Sequence, residues 1–146
     1  MIDIIPKLKT REECIQLIKN VRETNPELAK RAWLRAVELQ AGFHKTNNEV
    51  ELEILKALYA YEEVLYEKHK KHVRASRTWQ SIDRNGIIGA AEKAVNGIIE
   101  PAGYKLLAQM GMQDLTFEAV IVRYPGTFSE EAVLKAKARL KELSGI

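Results

Sequence analysis

Histidines, a cysteine and adjacent carboxylates are the residues of this 146-residue chain whose types could do chemistry. His69 and His72 stand three apart, so a helix reaching that far would carry both on one face. His44 is the only other histidine, and no cysteine pair or His-Glu-x-x-His run accompanies them. Zinc would need further ligands from distant carboxylates. No metal site is therefore expected, and the two histidines read as surface groups in a lysine run. Glu62 and Glu63 are neighbours and leave a helix in different directions. They are not the facing pair that general acid–base work uses. Cys14 is the only cysteine, so no internal disulfide can form. Its setting, EECIQLI, reads as a helix face with a buried structural thiol, and no motif places a base beside it. No GxxxxGK[ST], GxGxxG or GxSxG run occurs. The spacing Gly86-Ile-Ile-Gly89 is too short and too apolar to cradle a phosphate. No catalytic residue, cofactor or small-molecule ligand is expected, and an enzyme is the least favoured reading.

What remains is charge. Lys68, Lys70, Lys71, Arg74, Arg77 and Arg84 fall within residues 68–84 against one acid, Asp83, about +5 in all. Just upstream, residues 49–67 hold Glu49, Glu51, Glu53, Glu62, Glu63 and Glu67 against Lys56, about −5. The overall +3 hides this change of sign near Glu67. Two functional expectations follow. In the first, the six cations contact nucleic acid through phosphates. The helix after Gly86 offers Ile, Ala and Val, which cannot read base edges, so sequence preference is not expected. In the second, the chain is an assembly module. Its long acidic-to-basic helix pairs antiparallel with a second copy, as a homodimer without nucleic acid. A helix dipole also prefers acids early and bases late, which gives the sign change a structural cause.

The elements that would position these groups are helical. Thr10-Arg-Glu-Glu13 has capping-box spacing and opens a helix to about residue 22. Residues 1–9 read as an extended arm. Asn25-Pro26 opens a second helix, since asparagine caps and proline suits the first helical position. It ends near Ala41, with alanines at 29, 32, 36 and 41 that permit close packing and Lys30, Arg31 and Arg35 towards solvent. Thr46-Asn-Asn-Glu49 opens the third and longest helix, from Asn48 to about His69, roughly 33 Å at 1.5 Å per residue. Ile54, Leu58, Tyr61 and Leu65 mark its apolar stripe, with Val64 and Tyr66 off it. Ser76 is expected to cap a helix that Gly86 ends in a left-handed turn, with a further helix over residues 87–95 stopped by Asn96-Gly97. Trp79 and Ile82, three apart, point to the core. Pro101 opens a helix closed by Gly111. Asp114 caps another over residues 115–124, where AVIVRY favours a strand on local propensity; helix is chosen because no partner strand is evident. Ser129 or Thr127 caps the last helix, with Phe128 stapled onto Val133.

Four segments carry a resemblance: YAYEEVL (59–65), RASRTWQ (74–80), GIIGAAEKAVN (86–96) and GMQDLTFEAVIVRYP (111–125). They resemble a group of small bacterial proteins with no established activity, which carry similar YEEVL, RASRTWQ, GIIEAVERAV and FEAVVVRHP segments. The resemblance covers roughly residues 59–140. This chain departs from it at Asp83 and Asn85, where a basic residue and a histidine stand in the group, and at Gly89, where glutamate stands. It implies a bacterial source and no catalytic role.

Length fits one domain, with candidate halves 1–73 and 74–146. Apolar residues make up 46% and charged residues 29%, ordinary for a soluble globular chain. The start, MIDIIPKLK, lacks a signal-peptide run, and no apolar run of about 18 residues exists to span a membrane. The expectation is a cytoplasmic, all-α, compact domain of six to eight helices around one long central helix.

Overall fold

The first helix starts on a reciprocal pair. Thr10 Oγ1 accepts from the Glu13 N–H at 3.1 Å, and the Glu13 carboxylate accepts from the Thr10 N–H at 3.1 Å. Two donors that a helix start leaves open are thereby satisfied. A computed structural model describes residues 3–95 and 101–144 of the chain. Within them lie a 3-10 turn, Ile5–Lys7, and seven α-helices: α1 (Arg11–Val21), α2 (Pro26–Gly42), α3 (Glu49–His69), α4 (Ser76–Ala94), α5 (Pro101–Gln109), α6 (Phe117–Arg123) and α7 (Glu130–Ser144). No strand occurs among the described residues, so the fold is all-α. None of the described helices is long and apolar enough to cross a membrane. The proposed stop at Asn96-Gly97 lies outside the described residues.

Local chemistry explains most starts. Asn25 accepts from the Leu28 N–H at 3.2 Å, with Pro26 in the first turn of α2. Asn48 accepts from the Glu51 N–H at 3.1 Å and so caps α3. Thr46 does not form the expected box with Glu49. Its hydroxyl donates to the Glu51 carboxylate at 2.8 Å and accepts from the Asn48 N–H at 3.2 Å, bracing the cap from outside. Thr116 rather than Asp114 caps α6, accepting from the Ala119 N–H at 3.0 Å. That cap, together with burial of Val120 and Ile121, overrides the strand propensity of AVIVRY. Ser129 caps α7 through the Ala132 N–H at 3.1 Å, and Phe128 and Val133 share one apolar cluster.

The arm is not extended. Pro6 and the Asp3 carboxylate, which accepts from the Ile5 N–H at 3.1 Å, wind residues 5–7 into the 3-10 turn. Leu8 is then buried, and its carbonyl accepts from Arg35 at 3.1 Å, so Arg35 faces the arm rather than open solvent. Asp3 is also ion-paired to Arg31.

α3 is the longest helix at 21 residues, and it packs against α2, α4, α5 and α6. It enters two apolar clusters. Its later turns supply Ala60 and Val64 to one, with Ile18, Trp33, Leu107 and Met112 from α1, α2 and the α5 region. Its earlier turns supply Ile54 and Ala57 to the other, with Ala91, Ile121, Phe128 and Val133. Serving two clusters rotates the buried face along the helix. Val64 is therefore buried, and Tyr61, expected on the stripe, is 51% exposed. The buried alanines of α2, Ala29, Ala32, Ala36 and Ala41, allow its close packing on α1 and α3.

Gly86 interrupts α4 with φ 78° and ψ 170°. This is not the left-handed helical cap expected there but a backbone region open essentially to glycine alone. A Cβ at this position would meet nothing within 4 Å, so the restriction is conformational and not steric. Gly86→Ala is expected to destabilise the fold by about 1–3 kcal/mol, read as a lower urea midpoint at unchanged slope. An unchanged midpoint would show that the break tolerates a side chain.

Candidate nucleic-acid interface

The turn between α3 and α4 is built on a buried carboxylate. Glu62 is 4% exposed. Its Oε2 accepts from the Ala75 N–H and from the Trp79 indole N–H, each at 2.8 Å. Ala75 is the N-cap residue of α4, with no side-chain cap of its own. Ser76 therefore does not cap this helix; its hydroxyl donates to the Arg74 carbonyl at 3.5 Å. Glu62 takes over the capping task from the neighbouring helix and sets a negative charge at the positive end of α4.

Trp79 is half-buried rather than fully buried. Its ring stacks with His44 at 5.5 Å between centroids and meets Tyr59 edge-on at 5.5 Å. The Arg74 guanidinium lies 4.6 Å from its centroid, a cation–π contact. His44 Nε2 and the Tyr59 hydroxyl are hydrogen-bonded at 2.7 Å. Burial, and behind it the Glu62 charge, raise the Tyr59 pKa above the ordinary phenol value, while Arg74 pulls it the other way. Tyr59 thus keeps its proton at neutral pH. This cluster joins the α2–α3 turn, the middle of α3 and the start of α4. No local spacing predicts it, because its members lie at 44, 59, 62, 74 and 79.

All six cations singled out from the sequence are exposed: Lys68, Lys70, Lys71, Arg74, Arg77 and Arg84. Arg77 and Arg84 are seven apart and share the solvent side of α4, opposite Ala75, Trp79 and Ile82. Lys70 sits just past α3 with φ 59°, and its ammonium is 3.4 Å from Glu67. Two acids of the same region, Glu62 and Glu63, are turned inward. Glu63 is 2% exposed and holds Arg11 through two hydrogen bonds, 2.8 and 2.7 Å, with Gln40 donating to it at 2.9 Å. The Glu67 carboxylate is 2.8 Å from Arg22. Of the earlier acids, Glu51 is held by Thr46 and Glu53 by Arg123.

His69 and His72 are exposed, and no group of three potential metal ligands lies among the described residues. Cys14 is fully buried, and burial pushes its thiol up to about 11, which removes it as a nucleophile at neutral pH. A cleft of about 620 Å³ opens away from the basic turn, lined by Leu34, Val37, Lys56, Leu115 and Arg123 among others. Its Arg123 is taken up by Glu53 and the Asp114 carbonyl. Sequence reasoning missed Phe43, which is 87% exposed beside His44. Its only local signal is an aromatic placed directly after the helix-ending Gly42. No family model matches this chain, and no curated protein or solved structure shows significant similarity to it.

Proposed function

We propose that this protein binds nucleic acid through its phosphates, with little sequence preference, along Lys68, Lys70, Lys71, Arg74, Arg77 and Arg84. One observation carries the reading: the six cations face solvent, while Glu62 and Glu63 beside them are buried and Glu67 is shared between Arg22 and Lys70. The cations therefore lie on the solvent side of the turn, with Lys70 paired to Glu67 and Asp83 exposed among them. Past Gly86, Ile87, Ile88 and Ala91 pack into a core cluster and offer nothing to a base edge. With a single cysteine and no internal disulfide, the cytoplasm is the compartment assigned in the same proposal. The alternative, an antiparallel homodimer through α3, needs acids to meet these bases. Most of those acids already have partners within the chain.

Affinity should come mainly from counterion release. With about five phosphates neutralised, log K on duplex DNA is expected to fall with log salt at a slope of roughly −4 to −5. Replacing Arg77 and Arg84 together with alanine should flatten the slope by about two units and weaken unrelated sequences alike. Fluorescence anisotropy at several salt concentrations measures both. Absence of binding at about 50 mM salt, where phosphate contacts are strongest, would overturn the proposal. So would strong discrimination between unrelated sequences.

A further inference from the structure

We infer that the strip prefers single strands, because Phe43 offers a stacking surface for an unpaired base beside it. The inference rests on the phosphate reading above and names the form of nucleic acid. Among the described residues, Phe43 is the most exposed of the large hydrophobic side chains, at 87%. Its neighbour His44 stacks on Trp79, and Trp79 carries Arg74, a member of the strip. The α2–α3 turn is therefore fastened at Trp79 and Arg74, although some thirty residues separate them in sequence. The next residue, Lys45, is exposed and holds φ 53°. Lys45 and Lys70 are the two non-glycine residues with positive φ among those described, one in the turn before α3 and one just past its end. The Trp79 ring is already occupied by His44, Tyr59 and Arg74. Phe43 takes part in none of these ring contacts.

Stacking on an aromatic ring suits any base, since every base has a π-face, which agrees with a surface that cannot read base edges. A duplex keeps its bases stacked inside and presents only phosphates and groove edges. An unpaired strand offers both phosphates for the cations and a base for Phe43. A lone exposed phenylalanine is ordinary on a protein surface. What sets this one apart is its place one residue from His44, which stacks on the Trp79 ring that carries Arg74.

The test uses the full chain and three labelled probes in fluorescence anisotropy: an oligothymidylate of about 20 nucleotides, an abasic strand of equal length, and a duplex. The oligothymidylate should bind roughly tenfold tighter than the abasic strand, which keeps the phosphates and lacks the bases. Phe43→Ala should erase that gap, and Phe43→Trp should keep it. Leu134→Ala, at an exposed apolar position on α7, should leave the gap intact. If duplex and abasic strands bind but no gap exists, or Phe43→Ala preserves it, the inference fails and the phosphate reading stands. If Phe43→Leu behaves as wild type, the contact is merely apolar and stacking is overturned. If no probe binds, both fall.

Discussion

Glu62→Ala is expected to lower folding stability by about 3–5 kcal/mol, although it removes a charge and adds no clash. The carboxylate is 4% exposed and is the acceptor for two donors, the Ala75 amide and the Trp79 indole. Alanine strands both. Each unsatisfied donor costs roughly 1–3 kcal/mol where water cannot reach it. Ala75 is 9% exposed, so its amide bears the larger share. The half-buried indole recovers part of its loss from solvent. Loss of the cap and of the charge at the start of α4 adds about 1 kcal/mol. Glu62→Gln keeps a carbonyl acceptor and should cost about half as much. Chemical denaturation with an unchanged slope gives the values. A double-mutant cycle with Trp79→Phe, which deletes only the indole donor, should show coupling above about 0.5 kcal/mol. Glu62→Ala within about 1 kcal/mol of wild type would contradict the anchoring role.

The same carboxylate marks the boundary of what could be read from sequence. Helix starts at Thr10 and Asn25 were legible because each cap links residues three apart, whereas at α3 Asn48 took the role expected of Thr46. The cap of α4 was not, because its acceptor sits on another helix, 13 residues from the amide it holds. Ser76 was the right type of residue in nearly the right place, and a better-placed carboxylate displaced it. The α6 segment shows the reverse. Its local propensity pointed to a strand, and the absence of any partner strand in the chain was the more informative fact. Periodicity misplaced Tyr61 and Val64 because a single stripe was assumed for a helix that packs into two clusters.

The candidate site divided in the same manner. The six cations needed only composition and are exposed as a charge run usually is. The neighbouring acids were read as an acidic half-helix open to a second copy. Glu62 and Glu63 are buried against Trp79, Arg11 and Gln40, and Glu67 is held by Arg22, none of which a spacing rule connects to α3. This is why phosphate contact is proposed ahead of pairing between copies. An acidic surface for pairing needs acids that are free, and the structure has turned most of them to internal use. Phe43 lay beyond any pattern, since exposure of a single loop aromatic is decided by where the turn is fastened.

The second large effect is expected at Glu63. Glu63→Ala should cost about 3–5 kcal/mol, because it leaves the Arg11 guanidinium without its counter-ion in a mostly buried setting. The Arg11 side chain is 18% exposed and Glu63 is 2% exposed. Two hydrogen bonds join them across 52 residues, and Arg11 also lies 4.7 Å from the centre of the Tyr66 ring. Arg11→Ala should be comparably harmful, since it abandons the more deeply buried charge. The pair itself is a different matter. Desolvation of two charges offsets much of their attraction, so an apolar replacement of both partners can be neutral or better. Arg11→Met with Glu63→Leu should therefore regain most of the stability that either alanine variant loses. Gln40 sets the limit on that recovery. Its side-chain amide donates to Glu63 Oε2 at 2.9 Å and to the Ala36 carbonyl at 3.1 Å, so it keeps one partner when Glu63 is gone. Thermal and chemical denaturation of the three variants decide the point. If the double variant is as unstable as the single ones, the pair contributes by its charge rather than by filling space between α1 and α3.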